Sequence, residues 1–322
     1  MTNYISAINA KQIVSSLPTN DNPDSKMRRA WLLSCMGYNA GRRFDVVPML
    51  QCFRTQSGIF RSFLRQRLFL DEPVLAGIPS CTLCAMDQPG HNDTFRQQKG
   101  IHLRTQCVKC QKSYVHDRMK SKAFFECYKS VGQFVFVEAA GLYKGSDNKP
   151  ADVGVPASTH ETPRMLALDI GITDPCLPSS LPRSSSTPMY AADTMGAKKL
   201  GAHNKAVSEL GRAQIDCDVL PIILETSGAF GKHARKWWEE YMVPLAKDRG
   251  LVGGKHLSTI NEERPAGANG LLAHTWTANT WTTLQLQKFD WGLGVAMTEK
   301  VQGLAGQIQA AHQRRLGLDY GF

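Results

Sequence analysis

The sequence predicts a mixed α/β core, preceded by a basic helical region and a small metal-stabilised module and followed by a helical extension. Three observations carry this prediction. Over residues 115–247, apolar runs of strand length alternate with runs of helical spacing. Four cysteines, Cys81, Cys84, Cys107 and Cys110, crowd into thirty residues that hold few apolar side chains. Over residues 26–67, nine basic residues stand against one acid, Asp45.

Each element follows from its local pattern. Residues 1–25, rich in Asn, Asp, Ser and Pro, read as a flexible tail. In 26–79, Trp31, Leu32 and Leu33, then Phe53, Phe60, Phe63, Leu64 and Leu68, recur at helical spacing with arginines between them, which predicts basic amphipathic helices. Residues 80–114 have little to bury, so a module there needs a metal for its stability. The core, 115–250, reads as a helix at 116–129, strands at 134–138, 151–155 and 165–170, a loop over PCLPSSLPRSSSTP, a helix at 191–210, a strand at 219–224 and a helix at 232–245. The loop carries too many breakers for regular structure. Residues 251–322 end in a helical extension around 284–315, and no internal repeat is detectable.

Composition narrows the function. With 322 residues and 42% apolar content, the chain can bury a substantial core. No stretch approaches the roughly 20 apolar residues of a membrane span, and the opening MTNYISAINAKQ lacks the layout of a secretory signal. The expected location is intracellular and nuclear, without membrane contact. A net charge of +10 favours a polyanionic partner, nucleic acid being the commonest.

Nine cysteines in an intracellular chain point to thiols or metal ligands rather than a disulfide scaffold. Cys35, Cys52, Cys127, Cys176 and Cys217 are scattered and read as small core residues. Cys81 and Cys84 form the C-x-x-C turn that lets two thiolates reach one tetrahedral zinc ion. Cys107 and Cys110 complete a four-cysteine set. His102 with Cys107 completes a set of three sulfurs and one nitrogen, although spacing alone favours the four cysteines. Free thiols in a polar loop are the plain alternative, but two such pairs separated by 22 residues are rare by accident.

Metal-assisted phosphodiester hydrolysis needs carboxylates converging from different strands on a hard cation. Asp152 opens one predicted strand, Asp169 ends the next, and Glu138 ends the one before. An acid within a run as apolar as LALDI costs several kcal/mol unless a cation or strong partners meet it. Such sites add a lysine to orient water or stabilise the phosphate charge. Two positions after Asp169 stands Gly171, so the nearest lysines are Lys198, Lys199 and Lys205 on the following helix, which otherwise read as surface residues.

In order and spacing, these residues resemble the endonuclease region of site-specific non-LTR retrotransposons and related reverse-transcriptase proteins. That region is a restriction-endonuclease-like fold with a PD-(D/E)xK core. The resemblance covers roughly residues 60–250 and rests on Cys81-x-x-Cys84, His102 and Cys107, His116 opening a helix, KPAD ending at Asp152, LDIGIT around Asp169, and the strand PIILETSGAFG. It implies Cys81, Cys84, His102 and Cys107 as structural zinc ligands, with Cys110 in reserve. It also implies Asp152 and Asp169 as catalytic ligands of magnesium or manganese, and a displaced lysine on the helix of Lys198 and Lys199. Val115 stands where an arginine commonly precedes the histidine, and KPAD carries one alanine more than KPD.

The expected activity is metal-dependent DNA endonuclease, with Asp152, Asp169, Lys199 and Glu138 catalytic. Arg61, Arg65, Arg67, His116, Arg118 and Lys198 are the expected nucleic-acid contacts. The partner is DNA, with the RNA of a parent element as a second partner. No YxDD-like signature occurs, so a reverse-transcriptase portion would lie on a separate or parent chain. The competing expectation is a zinc-containing nucleic-acid-binding module with a degenerate nuclease core, for which Gly171 is the motivating residue. A zinc scaffold for protein partners leaves the basic excess without a role.

Overall fold

Asn22 starts the helix Pro23–Cys35: its side chain accepts the Asp24 N–H at 2.9 Å, and Pro23 occupies the first turn, where its missing N–H costs nothing. The computed structural model that shows this describes residues 12, 15–16, 22–46, 53–76, 78, 81, 83, 99–107, 113–139, 151–156, 164–210, 216–251 and 280–315. Helix α1 (Pro23–Cys35) buries Met27, Trp31 and Cys35, and α2 (Ser57–Arg67) buries Ile59 and Phe63. A five-residue π-helix, His102–Gln106, follows. Helices α3 (Tyr114–Met119) and α4 (Phe125–Ser130) are joined by a second π-helix, Lys120–Phe124. Single π-turns of this kind recur at functional sites because they re-aim side chains within a helix.

Four strands, β1 (Phe136–Ala139), β2 (Ala151–Pro156), β3 (Arg164–Thr173) and β4 (Asp216–Glu225), lie in the order β1-β2-β3-β4. The first two pairings are antiparallel and β3 with β4 is parallel. A crossover joins β3 to β4, as a parallel pair requires. It contains α5 (Leu181–Ser184) and α6 (Tyr190–Leu210). The short α5 corrects the reading of that loop as irregular: Pro182 sits in the first turn, where proline is tolerated. After β4 come α7 (Lys232–Trp237), a π-helix over Trp238–Met242, and α8 (Val243–Asp248). The chain thus forms an α/β fold, a mixed four-stranded sheet flanked by helices. Among the described residues no helix is long and apolar enough to cross a membrane.

The last helix, α9 (Trp281–Arg315), is a core element rather than an appended extension. Its first half places Trp281, Phe289 and Leu293 in the main core with Phe124, Leu168, Ile170 and Trp237. Trp281 stacks on Trp238 at 5.8 Å and 3° between planes. Its second half supplies Val301, Leu304 and Ile308 to a separate cluster around Leu103, Cys81 and Cys107. Within the first half, Asp290 accepts the Arg43 backbone N–H at 2.8 Å and pairs with its guanidinium at 2.5 Å, both side chains being buried. Gly228, at φ +94°, makes room for this pair, since a Cβ there would fall 1.8 Å from Asp290 Oδ1.

Candidate active site and metal centre

The pairing of β2 with β3 aligns the two aspartates. Val153 faces Leu168 and Gly154 faces Ala167, so one step further Asp152 falls opposite Asp169, on the same face of the sheet. Asp169 is not at a strand end, because β3 continues to Thr173. The two carboxyls lie on the floor of a cavity of about 560 Å³. Its walls come from α3 (His116), α6 (Met195 and Lys199), α9 (Met297 and Lys300) and the π-helix bearing Thr105.

Asp152 Oδ2 accepts the Ile170 N–H at 2.7 Å and lies 3.0 Å from His116 Nε2. The other imidazole nitrogen, Nδ1, is 3.2 Å from Asp117 Oδ1. His116 is held above its ordinary pKa chiefly by the hydrogen bond to Asp152, with burial opposing. Lys199 Nζ donates to Asp169 Oδ1 and, at 2.8 Å, to the Ile170 carbonyl. Burial pushes the Asp169 carboxyl above its usual range, the Lys199 bond opposes this, and the neighbouring Asp152 charge adds to the rise.

Gly171 acquires a physical reason. A Cβ at that position would meet Ile223 Cδ1 at 2.7 Å, Met195 Cε at 3.1 Å and Lys199 Cε at 3.3 Å. A side chain there would force Ile223 to shift first, and Met195 and Lys199 crowd the position from the adjoining helix. Of the lysines considered, Lys199 therefore reaches Asp169, whereas Lys198, one residue earlier on the helix, is exposed.

Glu138 departs from expectation. Register places it between the pairs Val137↔Val153 and Ala139↔Ala151, opposite Asp152. Its backbone, however, sits at φ 55°, a left-handed conformation at the sheet edge. Its carboxylate binds Lys120 Nζ at 3.1 Å, is 47% exposed and lines no part of the cavity.

The expected nucleic-acid contacts also divide. Arg61 is exposed and Arg65 half-buried on α2. Arg67, also half-buried, lays its guanidinium beside Gly41, on the side of buried Cys35. Arg118 is bound to Glu299 and, at 2.8 Å, to the Tyr114 hydroxyl. Three residues on or beside the cavity escaped sequence reasoning. Thr105 and Lys300 line it, and Lys120 lies one helical turn after His116 on the same face. The spacing of His116 and Lys120 was the signal that could have flagged the last of these.

The metal-module residues converge as well. The ligand atoms of Cys81, His102 and Cys107 all lie within 4.8 Å of one another in a buried group. The two sulfurs are 3.6 Å apart. Two thiolates on one tetrahedral zinc span about 3.8 Å, given Zn–S bonds of roughly 2.3 Å. The donor set and spacing thus suit a metal ion, and His102 belongs to the group. Cys84 and Cys110 lie outside the described residues.

Behind the cavity, Glu225 ends β4 and accepts the Ala192 N–H at 3.3 Å while 1% exposed. Burial raises its carboxyl from 4.5 to about 7, with Asp174 and Asp193 adding to the rise. The folded state therefore holds a proton that the unfolded chain releases near 4.5. The resulting stability is complete below pH 4.5 and is lost as pH rises through about 7. Glu225→Gln is expected to remove this loss, worth about 3 kcal/mol. Thermal unfolding between pH 5 and 8 checks it: the wild-type midpoint should fall across that range and the variant's should stay flatter. Equal slopes for the two proteins would contradict the assignment.

Comparison with protein-family models, curated proteins and solved structures finds no match for this chain.

Proposed function

We propose that the cavity hydrolyses DNA phosphodiesters with a divalent metal, on a PD-(D/E)xK restriction-endonuclease-like core of the retrotransposon type. The carrying observation is the pairing of Asp152 and Asp169 across β2 and β3, with the Lys199 ammonium bound to Asp169 and its stem passing beside Gly171. Two facing carboxyls, one destabilised by burial, are the donor chemistry that a hard cation satisfies. Asp152 and Asp169 would hold magnesium or manganese, and the ion would polarise the phosphate and activate water.

The chain's own residues perform the remaining work. Lys199 orients water and balances the negative charge that grows on the phosphoryl oxygens. His116 fixes the Asp152 carboxylate from the cavity wall. The oxygen of water forms a bond to phosphorus, the bond to the 3′ oxygen breaks, and a 5′ phosphate and a 3′ hydroxyl result. Cys81, Cys84, His102 and Cys107 hold a structural zinc, and Arg61, Arg65 and Lys198 supply cations for the DNA backbone. On this reading the location is nuclear, and a reverse-transcriptase portion and its RNA are companions of the nuclease.

Supercoiled plasmid is the direct test. With magnesium, nicked circles should accumulate, and with EDTA none should. A pure protein that binds DNA but never nicks it under either condition would replace this reading with the binding-module one.

A further inference from the structure

We infer that the cavity takes a single unpaired nucleotide, so that the preferred substrate is DNA with a mispaired, bulged or single-stranded position rather than intact duplex. This rests on the nuclease reading only for the identity of the reacting bond. Intact duplex is met by protein ridges that enter its grooves. Here the geometry is inverted, because the two carboxyls are only 19% and 23% exposed and lie below walls raised by several separate elements.

A volume of about 560 Å³ is that of a small-molecule pocket, not of a groove for a helix of DNA. For a phosphate to reach the floor, one strand must leave the stack and carry its base into the recess.

The walls have matching chemistry. Lys199 and His116 stand beside the acids, where the backbone would lie. Ile172, Leu177, Met195 and Met297 offer apolar surface to the faces of a base, and methionine adapts to more than one shape. Thr105 Oγ1, also on this wall, is buried and finds no hydrogen-bond partner among the described residues. A buried hydroxyl left in this way gains from a ligand edge that donates or accepts.

The test uses the full chain and oligonucleotides carrying 2-aminopurine, whose fluorescence rises on leaving the base stack. One substrate is fully paired, a second has one mispaired position and a third is single-stranded. Without divalent metal, binding should raise the fluorescence several-fold, and the mispaired and single strands should bind about tenfold tighter than the duplex, because their bases are already free. Leu177→Trp, which fills the recess, should abolish the rise, and an unchanged unfolding midpoint shows that this variant is folded.

Absence of any fluorescence rise with all three wild-type complexes overturns the inference, whatever the cutting rate. A rise without cutting upholds it while removing the nuclease reading. Cutting without a rise does the reverse.

Discussion

Asp169→Asn is expected to lower magnesium-dependent DNA nicking by about three to four orders of magnitude while leaving the fold and DNA affinity intact. The substitution preserves size and one acceptor oxygen, so Lys199 keeps a partner in addition to the Ile170 carbonyl at 2.8 Å. What is lost is the charge that holds a cation beside the phosphate, worth several kcal/mol in the transition state, and each 1.4 kcal/mol is tenfold in rate. Lys199→Ala should cost about a hundredfold. Lys198 is exposed and cannot replace it, because Lys199 is the lysine whose ammonium meets Asp169 and the Ile170 carbonyl. Single-turnover nicking with unfolding and DNA-binding controls makes the measurement. Full activity in Asp169→Asn would sink the assignment of the acids, and full activity in Lys199→Ala would sink that of the lysine.

The two aspartates were readable because strand physics is local: an acid within LALDI has few benign explanations, and period-two pairing then aligned it with Asp152. Glu138 obeyed the same pattern and still left the site: at the end strand of the described sheet its backbone adopts φ 55° and Lys120 captures the carboxylate. Arg67 shows what spacing leaves open. Spacing along α2 gave it the same character as Arg61, but residues distant in sequence, Gly41 and Cys35, receive its guanidinium. The role of α9 was equally hidden, since a helix apolar on two faces at its two ends reads locally as a tail. Thr105 and Lys300 have no sequence signal, as they meet only when α9 packs against the π-helix, where Lys300 Nζ donates to the Arg104 carbonyl at 3.0 Å.

On the zinc reading, chelation, or His102→Ala, is expected to remove the metal and loosen the cavity wall together. Structural zinc contributes about 10–16 kcal/mol of binding free energy, so one ligand of four carries roughly 3 kcal/mol, and its loss should weaken affinity by at least about a hundredfold. His102 opens the same π-helix that carries Arg104 and Thr105. Arg104 lies over the Trp31 ring at 5.2 Å and its Nε is 3.5 Å from Asp174 Oδ2. Releasing the helix should therefore change Trp31 emission and lower the unfolding midpoint. Cys107→Ser should behave like His102→Ala, whereas Cys110→Ala should leave the metal in place. Metal content after dialysis against a graded chelator, read beside tryptophan emission, checks both parts. A fully loaded His102→Ala protein would exclude the histidine as a ligand and return the site to the four cysteines. Metal loss with unchanged emission would show that the wall stands on the packing of Leu103 against Val301 and Leu304 without help from the ion.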